Sequence, residues 1–164
     1  MTNTMKLEIS ALSVNESFAR SAVAAFALSL NPSLGDLSDI KTAVSEAVTN
    51  CVVHAYKTQS EDNKIAIECK AEGDKDGFCG VLHIKITDYG CGIDDVEKAL
   101  TPFFTTHLED ERSGMGFTIM QTFTDEFSIA SEKGKGTTVT MVKRVGADSL
   151  LNETLGREKE RLNA

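Results

Sequence analysis

No apolar run in this chain approaches the about 20 residues that a membrane-spanning helix needs, so nothing in it reads as a transmembrane segment. Its first residues, Met1-Thr-Asn-Thr-Met-Lys6, lack the apolar core of a signal peptide. Of the four cysteines, Cys51, Cys69, Cys79 and Cys91, no two form a Cys-x-x-Cys pair, and the three histidines do not make a zinc spacing. These absences argue against a zinc module and lead to the expectation of reduced thiols in a cytoplasmic protein. Basic clusters are missing as well. With 17 Lys and Arg against 25 Asp and Glu, the formal net charge is −8, which argues against nucleic-acid binding through a positive surface. An acidic chain can meet a basic partner, but acidity alone identifies none. Internal repeats and low-complexity segments are also absent.

What is present fits one domain, because 164 residues hold one real core and not two comfortable ones. The stretch from Ile40 to Tyr56 organises the rest. At helical pitch Ile40, Val44, Ala47, Val48, Cys51 and Ala55 form one apolar face, suited to packing on a sheet. Glu46, Asn50 and His54 follow at i, i+4 and i+8 along one flank. That flank reads either as a solvated polar face or as the lining of a pocket, with a Glu to take a proton and an Asn to offer oxygen to a cation.

Before this helix, Lys6–Ala11 alternates as a strand with Leu7 and Ile9 on one face. Ser13-Val-Asn-Glu16 has the form of a capping box for an Ala-rich helix running to Leu30, along which Phe18, Ala22, Ala25, Phe26 and Ser29 recur. Asn31-Pro32 ends it. Leu34–Ser38 reads as a linker, with Ser38 or Asp36 capping the organising helix. After a polar loop, Lys64–Lys70 and Val81–Thr87 form a hairpin, with His83 a surface or edge residue rather than a ligand. Residues 94–112 are irregular, with one or two helical turns over Asp95–Leu100 and then a polar connection of the kind that serves as a lid. Gly114–Thr124 reads as a helix with Met115, Ile119, Met120 and Phe123 inward, followed by strands Glu126–Ser131 and Thr137–Lys143. The expectation is a domain over 1–145 and a charged tail over 146–164, with at most a frayed helix through Leu150, Leu151 and Leu155. The order β-α-α-β-β-lid-α-β-β predicts an α+β fold, a two-layer sandwich with a mostly antiparallel mixed sheet and helices on one face.

Three glycine-bearing stretches tip the organising helix toward the pocket reading. Asp88 closes an apolar strand just before Gly90 and Gly92; its carboxylate can accept from an exocyclic amine, and the glycines can let backbone approach a planar base. Ser113-Gly114-Met115-Gly116-Phe117 opens a helix whose unpaired N–H groups suit phosphate. It lacks both the P-loop spacing and the strand-then-Gly-x-Gly-x-x-Gly order of a dinucleotide fold. Gly134-Lys-Gly-Thr137, alone, is a hairpin turn.

In this order and on these elements, the stretches resemble the nucleotide-binding domain of the GHKL superfamily, which includes gyrase B, Hsp90, histidine kinases and MutL. Glu46-x3-Asn50 looks like its N-box, Asp88-x-Gly90-x-Gly92 and Gly114-Met115-Gly116 its first two glycine boxes, and Gly136-Thr137 its last. Asn15-Glu-Ser-Phe-Ala-Arg20, Ser45–Asn50, Pro102-x-Phe-Thr-Thr106 and Glu111–Met120 further resemble the anti-sigma F family of endospore-forming bacteria, over about residues 6–143. The resemblance implies an ATP-dependent serine kinase that binds a sporulation sigma factor as a homodimer and phosphorylates an anti-anti-sigma partner. It implies that Asn50 binds Mg²⁺, that Asp88 holds the adenine amine, and that the segment between glycine boxes is the ATP lid. It further implies that the Gly114–Gly116 amides with Ser113 and Thr105 or Thr106 cradle phosphates, that Glu46 orients or deprotonates the serine hydroxyl, and that His54 and Thr137 lie at the nucleotide. Arg20, the only cation of its Ala-rich helix, becomes a candidate partner contact. A sensor-kinase catalytic domain is disfavoured, because the residues before the organising helix hold no histidine-bearing hairpin; an ATP-dependent binding module without kinase activity, or a related stress-type anti-sigma serine kinase, stays open.

Overall fold

The computed structural model describes residues 1–74, 79–101 and 115–146. Five strands form one sheet in the order β1-β2-β3-β5-β4: β1 (Thr2–Ser10), β2 (Lys64–Gly73), β3 (Cys79–Asp88), β4 (Glu126–Glu132) and β5 (Gly136–Gly146). Every ladder is antiparallel, so the mixed sheet expected from sequence is not found among the described residues. Between β1 and β2 run α1 (Val14–Ala27) and α2 (Leu34–Asn50), and α3 (Val96–Ala99) and α4 (Gly116–Phe123) lie between β3 and β4. No described helix is long and apolar enough to cross a membrane.

Strand alternation explains the two layers. In β2, Ile65, Ile67, Cys69 and Ala71 are buried, and in β3 Leu82, Ile84 and Ile86 are buried beside them. Full burial of each such aliphatic side chain contributes about 1.5–3 kcal/mol. These residues join Ile40, Val44, Ala47 and Val48 of α2 and Ala19, Val23 and Ala27 of α1 in one core. The intervening residues carry charge on the other face, where Glu68 bridges Lys6 at 3.0 Å and Lys85 at 3.1 Å along one rung. His83 sits on this open face of the central strand, its Nε2 3.0 Å from Glu72.

Several local expectations shift. Ser13 is already in helical conformation and makes no side-chain cap, so the predicted capping box is absent. The box stands at Ser33 instead. Its Oγ accepts from Asp36 N at 3.0 Å, and Asp36 Oδ2 accepts from Ser33 N at 2.9 Å, so the segment read as a linker is the first turn of α2. The inward stripe of α1 is Ala19, Val23 and Ala27, and Phe18 is 53% exposed. A 3₁₀ turn over Leu28–Leu30 and a left-handed Asn31 (φ 52°) close that helix ahead of Pro32. β1 begins earlier than expected and β5 runs on to Gly146.

Candidate functional site

A cleft of about 940 Å³ opens between α2, the ends of β3 and β5, and the segments carrying α3 and α4. Glu46 and Asn50, one turn apart on α2, both line it. The helix then widens into a π-helical turn over Cys51–Ala55, a rare geometry that recurs at functional sites, and this turn brings Cys51 and His54 to the same cleft. Polar residues stacked on α2 and its continuation therefore face a cavity rather than bulk solvent.

The opposite wall is built at the start of α4. A methyl group on the Gly116 α-carbon would stand 3.2 Å from Asn50 Oδ1 and 3.3 Å from Glu46 Oε2, so absence of a side chain lets this helix start against both. Met115 and Phe117 flank that contact and line the cleft. Four candidates, Thr105, Thr106, Ser113 and Gly114, and the lid segment between 102 and 114 lie outside the described residues.

Asp88 also lines the cleft. It ends β3, pairs with Thr137 of β5, and is 4% exposed. Its Oδ1 accepts from Gly90 N at 3.0 Å and from Thr137 N at 3.3 Å. Burial raises its pKa above the ordinary carboxylate value, and these two N–H donors with the Cys51 thiol partly offset that. The Cys51 thiol is pushed well up by burial and by the Asp88 charge. A buried carboxylate with a face on a cleft is suited to receive one more donor from a ligand.

The glycines after Asp88 also meet a packing requirement. Gly92 lines the cleft, and at both glycines the room that a β-carbon would need is taken by protein backbone. The Gly90 α-carbon packs on the Ala55 carbonyl, and Gly92, at φ +70°, packs on the Glu132 carbonyl. Cys91 N donates to Ala55 O at 2.7 Å, Gly134 N to Cys91 O at 2.7 Å, and Ile93 N to Ser131 Oγ at 2.8 Å. The loop is thus held between the π-helical turn and the β4–β5 hairpin. Thr137 contributes its backbone N–H to Asp88, and its hydroxyl shares a 2.9 Å bond with Ser131 Oγ.

Arg20 is not an isolated cation. Its Nη1 donates to Ser45 Oγ at 3.2 Å and to Glu16 Oε1 at 3.4 Å, bridging α1 to α2 one residue before Glu46. Its side chain remains 39% exposed.

Reading the sequence missed the apolar walls: Ile86 and Val139, paired across β3 and β5, and Ile93. Strand pairing supplies the signal, since the Asp88–Thr137 rung puts the Ile86–Val139 rung on the same face. Cys51 was assigned only to the core, although it follows Asn50 directly.

The donor chemistry fits a magnesium–nucleotide. Asn50 and Glu46 offer hard oxygen, but no group of three His, Cys, Asp or Glu among the described residues could hold a metal alone. A Mg²⁺ held by Asn50 would complete its shell with phosphate oxygens and water, as it commonly does. Lys98 is the sole Lys or Arg among the described lining residues, against Glu16, Glu46, Asp94 and Asp95 nearby. A polyphosphate entering so acidic a cleft needs a cation with it.

Comparison with known proteins agrees with this geometry. A histidine kinase-like ATPase domain model matches residues 9–143. An anti-sigma F factor of Thermoanaerobacter sp. (strain X514) is 51% identical over 147 residues, covering 90% of this chain and 97% of that protein. An anti-sigma F factor of Caldanaerobacter subterraneus subsp. tengcongensis is 53% identical, covering 88% and 95%. Among solved structures, the RsbU and RsbW domains of Rv1364c from Mycobacterium tuberculosis superpose with a TM-score of 0.59 at 20% identity. That match spans 88% of this chain and 33% of the other, and it speaks to the fold alone.

Proposed function

This chain belongs to the histidine kinase-like ATPase domain family, and within it to the anti-sigma F factors; from that premise we propose that it sequesters a sporulation sigma factor and uses ATP with Mg²⁺ to phosphorylate a serine of an anti-anti-sigma partner. In this reading it works as a cytoplasmic homodimer. The observation that carries the chemistry is the convergence of Glu46, Asn50 and Gly116 in the cleft that Asp88 also lines.

Each residue then has a task. Asp88 accepts from the 6-amino group of the purine. Asn50 would hold the Mg²⁺, which when bound neutralises phosphate charge. Glu46 orients the partner's serine hydroxyl and takes its proton as the serine oxygen–phosphorus bond forms and the bond to the β-phosphate oxygen breaks, releasing ADP. Phosphoryl transfer asks mainly for such positioning and charge compensation. Arg20, held between Glu16 and Ser45 and still partly exposed, presents a cation to either protein partner near the cleft.

The test is incubation of the purified protein with γ-labelled ATP and candidate anti-anti-sigma and sigma proteins. Phosphoserine on the former and ATP-dependent retention of the latter are expected. Retention without transfer would instead identify a binding module that uses ATP to set its shape.

A further inference from the structure

The hydroxyl of Ser131, next to the end of β4, meets three groups. It accepts from Ile93 N at 2.8 Å, donates to Gly136 O at 3.1 Å and lies 2.9 Å from Thr137 Oγ1. A hydroxyl has one proton and two acceptor positions. The Gly136 carbonyl can only accept, so the Ser131 proton goes there, and the bond between the two hydroxyls is carried by the Thr137 proton. Receiving both Ile93 N–H and Thr137 O–H, Ser131 Oγ is fully used. Thr137 Oγ1 then has only lone pairs left for the cleft that Thr137 lines. Thr137 stands opposite Asp88 on the β3–β5 ladder, and its N–H donates to Asp88 Oδ1 at 3.3 Å. Directly paired residues share a face of the sheet, so this carboxylate and this hydroxyl stand side by side, and both residues line the cleft.

We propose that Ser131 is a positioning and specificity-determining residue of the nucleotide site: by engaging the Thr137 proton, it keeps the wall at Asp88 and Thr137 made of acceptors only. This rests on the reading of Asp88 as the purine acceptor and adds how the neighbouring hydroxyl is oriented. A 6-aminopurine brings two amine N–H donors to such a wall. A 6-oxopurine brings an oxygen that is itself an acceptor and finds no donor there. Without the Ser131 hydroxyl, the Thr137 proton turns free and can donate to that oxygen, so discrimination falls. The amide donors on Asp88 Oδ1 come from Gly90 and Thr137 backbone and do not involve the Ser131 side chain. Acceptance of the 6-amino group by Asp88 therefore survives the loss of Ser131.

The experiment measures ATP and ITP binding by calorimetry for the wild type, Ser131→Ala, Thr137→Val and the double variant, with thermal unfolding alongside. The wild type is expected to prefer ATP. In Ser131→Ala, ITP binding is expected to tighten about 2- to 10-fold, the range of a single net hydrogen bond, with ATP binding within about 2-fold of wild type. A gain for one nucleotide is a change that mere loosening of the hairpin does not produce. Thr137→Val keeps shape and the backbone N–H but removes the acceptor, so ATP binding is expected to weaken about 2- to 10-fold. Adding Ser131→Ala to it should bring no gain in ITP binding. Wild-type preference in folded Ser131→Ala, or the same ITP gain in the double variant, overturns the proposal. Wild-type ATP affinity in Thr137→Val overturns it too, whether or not the Ser131 variant folds. Asp88→Asn, measured in the same series, separates the two levels. Unchanged ATP binding there refutes the reading of Asp88 itself, whereas weakened binding there beside indifferent Ser131 and Thr137 variants refutes the role of Ser131 alone.

Discussion

Gly116 meets Asn50 so closely that a β-carbon on the glycine would lie 3.2 Å from the Asn50 amide oxygen. The glycine is not needed for backbone freedom, as it is not among the positive-φ glycines. Its requirement is space. Gly116→Ala is therefore expected to displace Asn50 and Glu46 by a few tenths of an ångström. Inside a helix Ala is favoured over Gly by about 0.5–1 kcal/mol, so the fold should not suffer. Phosphoryl transfer should fall, toward the about 10²-fold that a 1 Å misplacement costs. Single-turnover assays beside thermal unfolding would show activity lost at unchanged or raised Tm.

Asp88→Asn should separate function from stability in the same way. Losing a charge-assisted bond to the purine costs about 1.5–3 kcal/mol, or about 10- to 150-fold in ATP affinity. The stability effect has the opposite sign. A carboxylate whose folded pKa is raised contributes stability that is fully present below its unfolded value and lost as pH rises through the raised value. At neutral pH the buried Asp88 charge thus opposes folding, and the asparagine variant should unfold at the same or a higher temperature without nucleotide. Calorimetry and thermal unfolding at pH 7 check both halves, and unchanged ATP affinity would remove Asp88 from the site.

The two serines test the reassigned cap. Ser33→Ala removes one half of the box with Asp36 and should cost about 0.5–2 kcal/mol in denaturant unfolding. Ser13→Ala removes no cap bond and should stay within about 0.5 kcal/mol. Equal losses would contradict the observed geometry.

These serines also show where the sequence was legible. Periodicity placed all five strands, α1, α2, α4 and the inward face of α2, because burial on one side imposes a repeat that the residues display. It assigned the box to Ser13 and overlooked Ser33, since both precede helices with an acid three residues on, and only packing decides which serine is extended. Glu46, Asn50 and His54 were legible as a stack, and the cleft they face emerged only when α4 folded over them. Gly90 and Gly92 were legible as special, but their contacts with Ala55 and Glu132 were not: these join residues far apart in sequence, and no local pattern announces them. Cys51 was hidden because a small apolar residue on a core face gives no hint that it also lines the cleft.

Arg20→Glu should abolish binding of the sigma and anti-anti-sigma partners while ATP affinity is kept. The substitution breaks the bonds to Glu16 and Ser45 and sets two acids one turn apart, at a cost of a few tenths of a kcal/mol on a partly exposed helix, about 0.2–0.5 kcal/mol. Pull-down at wild-type strength would leave Arg20 only its bridging role between α1 and α2.

The kinase assignment turns on Glu46 and Asn50. Glu46→Gln keeps shape and most hydrogen bonding but removes the base, so transfer to the partner serine should drop by about 10²–10⁴-fold with ATP affinity nearly unchanged. Asn50→Ala removes the proposed Mg²⁺ ligand and should weaken ATP binding and transfer together. Single-turnover transfer from γ-labelled ATP, measured beside equilibrium ATP binding for both variants, reads this contrast directly. A large loss of transfer at intact affinity for Glu46→Gln is the predicted result; full-rate transfer by that variant would contradict the account.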